Sequence, residues 1–127
     1  MARQSISIPG LDHGDQPFPI ASRVGPFVAT SGIHGANPET GKPEGDAETQ
    51  IRQAFANLRA VLEAAGATPD DVAQVLVTLT DREHRKLVNP FWVELFPDPG
   101  SRPARQTAER ELPGGSLCML IAYAYVA

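Results

Sequence analysis

QIRQAFANLRAVLEAAGATPDDVAQVLVTLTD, residues 50–81, contains the change of hydrophobic period that decides the fold. From Ile51 onward, Phe55, Leu58, Leu62 and Ala65 recur every three or four positions, which is one apolar face of a helix. Asp46 is placed to cap that helix, Glu48 lies in its first turn, and Gly66 is placed to end it. After the turn Ala67-Thr68-Pro69-Asp70 the period falls to two. Val75, Val77 and Leu79 then share one face of a strand, and Leu76 on the other face implies that both sides are covered.

Toward the C-terminus, Leu87, Val88, Phe91, Trp92, Leu95 and Phe96 have helical spacing around Pro90. Asn89-Pro90 is either a cap followed by a first-turn proline or a kink in a longer helix starting near Asp81. PDPGSRP (97–103) reads as a loop. Residues 104–111 and 117–126 read as a closing hairpin joined by Leu112-Pro113-Gly114-Gly115. Toward the N-terminus, RVGPFVATSGI (23–33) reads as a strand entering the bend SGIHG, and the alternation Ser5-Ile6-Ser7-Ile8 as an edge strand. ANPETGKPEGD (36–46) reads as a loop, punctuated by Pro38, Gly41, Pro43 and Gly45. The order β, β, α, β, α, β, β predicts an α+β fold, a single mixed β-sheet with two helices packed on one face. The strand SLCMLIAYAYV (116–126) is apolar on both faces. In a two-layer domain that pattern calls for a second subunit, so a homo-oligomer is expected.

The totals narrow the function. At 127 residues the chain is one domain, 1–127, with 42% apolar and 20% charged residues. A net charge of −4 and scattered basic residues, clustered only at Arg82, Arg85 and Lys86, argue against nucleic acid as a partner. Cys118 is the sole cysteine, so neither an internal disulfide nor a CxxC metal motif exists. With no signal-like segment and no apolar run long enough for a membrane span, the expected location is the cytoplasm.

Several motifs are familiar as a set. VGPFVATSGIHGANPETG (24–41), the helix-strand stretch quoted above, VNPFWVELF (88–96), RPAR (102–105) and ELPGGS (111–116) occur in the order and spacing of one family. From about Pro19 to Ala127 the chain resembles the Rid/YjgF family, the reactive-intermediate deaminases. The resemblance implies a chorismate-mutase-like domain that assembles as a homotrimer with clefts between subunits. It also implies hydrolysis of 2-imino or 2-enamino acids to 2-keto acids and ammonia, without metal or organic cofactor.

On the same resemblance Arg105 holds the substrate carboxylate. A guanidinium suits that task, offering two parallel donors and keeping its charge at any relevant pH. The implied cleft also takes Phe18, Ser31, Gly32, Ile33, His34, Asn89, Ala104, Cys118 and Met119. Two stretches depart from the family pattern. Its Gly-Pro-Tyr becomes Gln16-Pro17-Phe18, which keeps a ring and loses a hydroxyl. Its water-orienting glutamate falls on Met119 when aligned at Leu112-Pro113, or on Leu120 when counted from Arg105, with Ile121 at a second acidic position. No acid follows Glu111.

His34 is the candidate for the missing proton chemistry, since its pKa suits transfer near neutrality; the plain alternative is a loop histidine bonded to backbone or water. His13 and His84 are weaker candidates, with His84 read onto the exposed face of the second helix. No histidine pair has the i, i+4 spacing of a metal site. Cys118 reads as a buried thiol, with only Arg105 across the expected hairpin to activate it. Asn89 reads as a cap or backbone partner with a cleft role open to it, and Trp92 as core or interface. Two functions follow: a cofactor-independent deaminase of small imino, enamino or aminomuconate-type acids, or a non-catalytic trimeric protein that binds small carboxylates or keto acids in the same cleft. A ribonuclease fits worst, for want of a basic-aromatic stripe.

Overall fold

The computed structural model describes residues 2–127. Helix α1 runs from Ala47 to Ala64, and its ends form as the sequence predicts. Asp46 Oδ1 accepts from Thr49 N at 2.9 Å, satisfying one of the donors a helix start leaves unpaired. At the other end Ala67 N donates to Leu62 O and Gly66 N to Glu63 O, a closing pair that needs a left-handed residue; Gly66 supplies it with φ 78°. Helix α2 spans Arg85–Leu95 behind a short 3₁₀ turn at Arg82–His84, whose entry is capped by Asp81 accepting from Glu83 N. Pro90 therefore lies inside a longer helix, the second of the two readings. The hydrogen bond it forgoes would have used the Lys86 carbonyl, on an exposed turn where water can replace it. His84 precedes this helix and is half-buried, so it is not on an exposed helical face.

The main sheet has seven strands. They are β1 (Gln4–Ile6), β2 (Ala21–Val24), β3 (Phe27–Thr30), β4 (Ile33–His34), β7 (Val72–Leu79), β8 (Ala104–Glu109) and β9 (Cys118–Tyr125). Their order is β1-β2-β3-β9-β7-β8, and β4 extends the β3 side by pairing with β9. Only β7 and β8 are parallel, joined by α2. The stretch 23–33 is thus not one strand. Gly25, with φ 58°, turns β2 back on β3 through a two-residue loop. Within 36–46, β5 (Ala36–Asn37) and β6 (Lys42–Pro43) form a small separate pair.

The expected closing hairpin is also corrected. Strands β8 and β9 do not pair with each other, because β7 lies between them, parallel to β8 and antiparallel to β9. The reason lies in the patterns themselves. β7 and β9 are apolar enough for central positions, whereas Ala104, Gln106 and Ala108 of β8 are exposed and suit an edge.

Both helices cover one face of the sheet. Val75, Val77 and Leu79 of β7 meet Leu58, Val61 and Leu62 of α1 in a core that also takes Val28, Leu120 and Ala122. Burying each such side chain stabilises the fold by roughly 1.5–3 kcal/mol before entropy is counted. Trp92 seals the α2 end, edge-on to Phe55 and Phe96. The face without helices carries Leu76, Met119, Ile121 and Tyr123, all only partly buried in the single chain. The architecture is the expected α+β layer of two helices on a mixed sheet. No helix among the described residues is long and apolar enough to cross a membrane.

Candidate functional site

Arg105 is paired in register with Val75, so its side chain emerges on the helix-bearing face. There Nη1 donates to Asn89 Oδ1 at 3.0 Å, Nε donates to Thr107 Oγ1 at 3.3 Å, and the guanidinium stacks 5.2 Å from the centre of the Trp92 ring. Among the described residues no carboxylate lies within ion-pair distance of it. Partial burial lowers its pKa, but an arginine starts so far above neutrality that the charge remains. Its partners are neutral and hold it in one orientation without spending its charge. Asn89 serves this purpose rather than capping the helix. Ala104, one residue earlier on the edge strand, is exposed beside it.

The remaining predicted residues gather elsewhere. Met119 pairs with Thr78, whose side chain alternates away from Val75, and His34 pairs with Met119. Both therefore belong to the helix-free side of the sheet. Gly32 packs against Met119 so closely that a Cβ there would strike its sulfur. Ser31 Oγ donates to Pro19 O at 2.7 Å, which ties down the segment carrying Phe18, whose ring is 45% exposed. The Ser31 hydroxyl is thereby used in holding the loop. Ile33 is buried beside Leu120 and contributes backbone and wall.

Cys118 lies on the core side of β9, completely buried, and burial pushes its thiol up to about 12. It pairs with Leu79, four residues along β7 from Val75, so the expected neighbourhood with Arg105 does not exist. Only its backbone carbonyl faces a functional group, accepting from Ser116 Oγ at 3.1 Å.

Two residues join this second cluster that sequence reasoning ranked low or passed over. His13 sits between Phe18 and His34, with ring centres 5.1 and 5.9 Å away, and its Nε2 meets Gly32 O at 2.8 Å. Ser116 meets His34 Nδ1 at 2.6 Å. Burial, and then the neighbouring His13, hold the His34 imidazole below the ordinary histidine value. A cavity of about 330 Å³ opens here between the N-terminal loop and the Pro113-Gly114 turn, with Asp12, His13, Gln16 and His34 in its lining. Nothing in the local sequence ties residue 13 to residues 34 and 116; only the fold brings them together.

The chain thus holds two separate clusters, Arg105 with its partners on the helix side of β8 and a histidine-lined cavity on the opposite side, beyond β7 and β9. Among the described residues no cluster of three or more metal-ligating side chains occurs.

Comparison with known proteins agrees with this architecture. Residues 15–118 match the family described as Endoribonuclease L-PSP. A RutC family protein of Aquifex aeolicus is 37% identical over 98 residues, 76% of this chain and 78% of the relative. The 2-iminobutanoate/2-iminopropanoate deaminase of Escherichia coli K12 is 31% identical over 94 residues, 73% of each chain. Among solved structures, RidA from the Antarctic bacterium Psychrobacter sp. PAMC 21119 superposes with a TM-score of 0.88 at 30% identity, covering 97% of this chain and 99% of that one. With the family match, sequence identity and fold all in accord, the chain belongs to the YjgF/Rid family, the group of RutC and RidA proteins gathered under the Endoribonuclease L-PSP description.

Proposed function

We propose that the protein is a cofactor-independent hydrolytic deaminase of small 2-imino or 2-enamino acids. The observation that carries this reading is Arg105, charged, oriented by Asn89 and Trp92, and paired with no acid among the described residues. A guanidinium held in this way is ready for a carboxylate, and a relative with 31% identity bears the name of an iminobutanoate and iminopropanoate deaminase. With the carboxylate anchored, the adjacent imine carbon is presented to water at one fixed orientation. Hydrolysis of a C=N bond needs only water and proton transfers, so the reading calls for no metal and no organic cofactor.

The two clusters lie on opposite sides of the sheet, so we infer that they are half-sites and that a complete cleft uses Arg105 of one protomer and the Phe18, Gly32, His34 and Met119 region of the next. A homotrimer is the expected assembly. The partly exposed Leu76, Met119, Ile121 and Tyr123 on the helix-free face support such an association.

The test generates 2-imino acids with an amino-acid oxidase and traps them with semicarbazide. Addition of the protein is expected to lower the trapped fraction. An undiminished fraction across aliphatic and aromatic imino acids overturns the deaminase. The absence of any carboxylate after Glu111 favours one other reading, a non-catalytic binder of small carboxylates or keto acids. It predicts Arg105-dependent calorimetric binding of a 2-keto acid with no effect on trapping.

A further inference from the structure

The hydrogen bonds around His34 point to one position for its proton. Ser116 Oγ carries one proton and lies 3.1 Å from Cys118 O, which can only accept. With that proton given to the carbonyl, the same oxygen must accept from His34, so Nδ1 is the protonated nitrogen. The neutral ring then bears its lone pair on Nε2. The same logic applies to His13: Gly32 O can only accept, so His13 Nε2 donates and its lone pair falls on Nδ1. His34 Nε2 and His13 Nδ1 have no partner among the described residues, and neither is sealed from solvent. Both rings line the same cavity.

We propose that His34, aimed by Ser116 and flanked by His13, is the proton-transfer group of this site, with Nε2 as the working atom. The inference rests on the deaminase reading. The groups facing His34 are few. Among the described residues, His13 and Asp12 of the N-terminal loop line the same cavity, Asn57 of α1 donates to the His34 backbone carbonyl, and the Cys118 thiol lies on the opposite, core side of β9. Asp12 is already occupied, accepting from Ser7 Oγ and Ile8 N. Burial and His13 both favour neutral His34, the form that accepts a proton.

In the reaction, water attacks the carbon of the protonated imine. As the C–O bond forms, His34 Nε2 takes a proton from the water and the C=N π pair moves onto nitrogen. The imidazolium returns that proton to the nitrogen of the carbinolamine. The C–N bond then breaks with its electron pair leaving on ammonia, the hydroxyl becomes the keto oxygen, and its proton passes to His34 and on to ammonia. Protonated imine plus water gives keto acid plus ammonium, with His34 regenerated.

The test compares the native protein with His34→Asn, whose amide keeps a donor toward Ser116 but has no basic nitrogen. In the oxidase and semicarbazide assay kcat is expected to fall about 100-fold or more, with KM changed little. The rise of kcat with pH through the His34 titration should disappear, and added imidazole should restore part of the activity of His34→Ala but none of that of Arg105→Ala. In the native protein, nitrogen NMR should find neutral His34 protonated at Nδ1, and Ser116→Ala should release that preference even if His34→Asn does not fold. A native protein that accelerates hydrolysis while His34→Asn stays within threefold of it, with an unchanged pH profile, overturns the role of His34 and leaves the deaminase standing. Protonation at Nε2 overturns it equally. A native protein with no effect on trapping removes the deaminase, and this role with it.

Discussion

The Arg105 guanidinium lies 5.2 Å from the centre of the Trp92 ring and donates to Asn89 Oδ1 at 3.0 Å, so one strand residue is aimed by two residues of one helix. Arg105→Ala is expected to cost roughly 3 kcal/mol of substrate binding, about 100-fold in kcat/KM, mostly through KM. Arg105→Lys should recover less than tenfold, because an ammonium neither forks to a carboxylate nor stacks on the indole. Asn89→Ala should cost about fivefold by loosening the guanidinium. Steady-state kinetics checks all three.

Gly35 lies where a Cβ would overlap the backbone carbonyl of Gln50 on α1. Helix backbone cannot step aside, so Gly35→Ala should destabilise the protein by about 1–3 kcal/mol or more. Thermal melts should show a midpoint several degrees lower. Because Gly35 follows His34, the variant should also broaden the His34 NMR signals.

The Asp46 carboxyl is held below the usual carboxylate range, chiefly by the backbone N–H of Thr49. A group with a lowered folded pKa contributes stability above its unfolded pKa, and that contribution is lost as pH falls through the folded value. The melting midpoint of Asp46→Ala should therefore trail that of the native protein at neutral pH, and the gap should close in acid below the ordinary aspartate range. A gap that persists there would count against the cap.

Burial pushes the Cys118 thiol up to about 12, so the thiolate is absent at working pH. An aromatic disulfide reagent at pH 8 should leave the folded protein unlabelled and react with one thiol on unfolding. Labelling at the rate of free cysteine would place the side chain outside the core.

Ile121→Glu puts a charge on the helix-free face without touching either half-site's polar groups. Sedimentation should find the native protein at three times the 13.6 kDa chain and the variant at one. The variant should also lose deamination while keeping its helical spectrum. A native monomer with full activity would remove the shared cleft.

The features legible in the chain's residue order were local in origin. The spacing of Ile51 to Ala65, the cap at Asp46 and the stop at Gly66 are interactions between residues a few positions apart, so α1 was legible to its ends. The alternation in Val72–Leu79 and the doubly apolar 116–126 stretch identified the two central strands, and the two-layer class followed. Arg105 was singled out as a candidate only through its motif neighbours. Strand partnership was decided by the tertiary structure, because a period-two pattern specifies which faces are buried and not which strand lies alongside. That is why β7 came between β8 and β9 and parted Cys118 from Arg105. The same holds for His13, His34 and Ser116, whose hydrogen bonds reach across 19 and 82 positions of chain. Those bonds exist only once the sheet has closed, since the distance that governs them is spatial and leaves no trace in spacing.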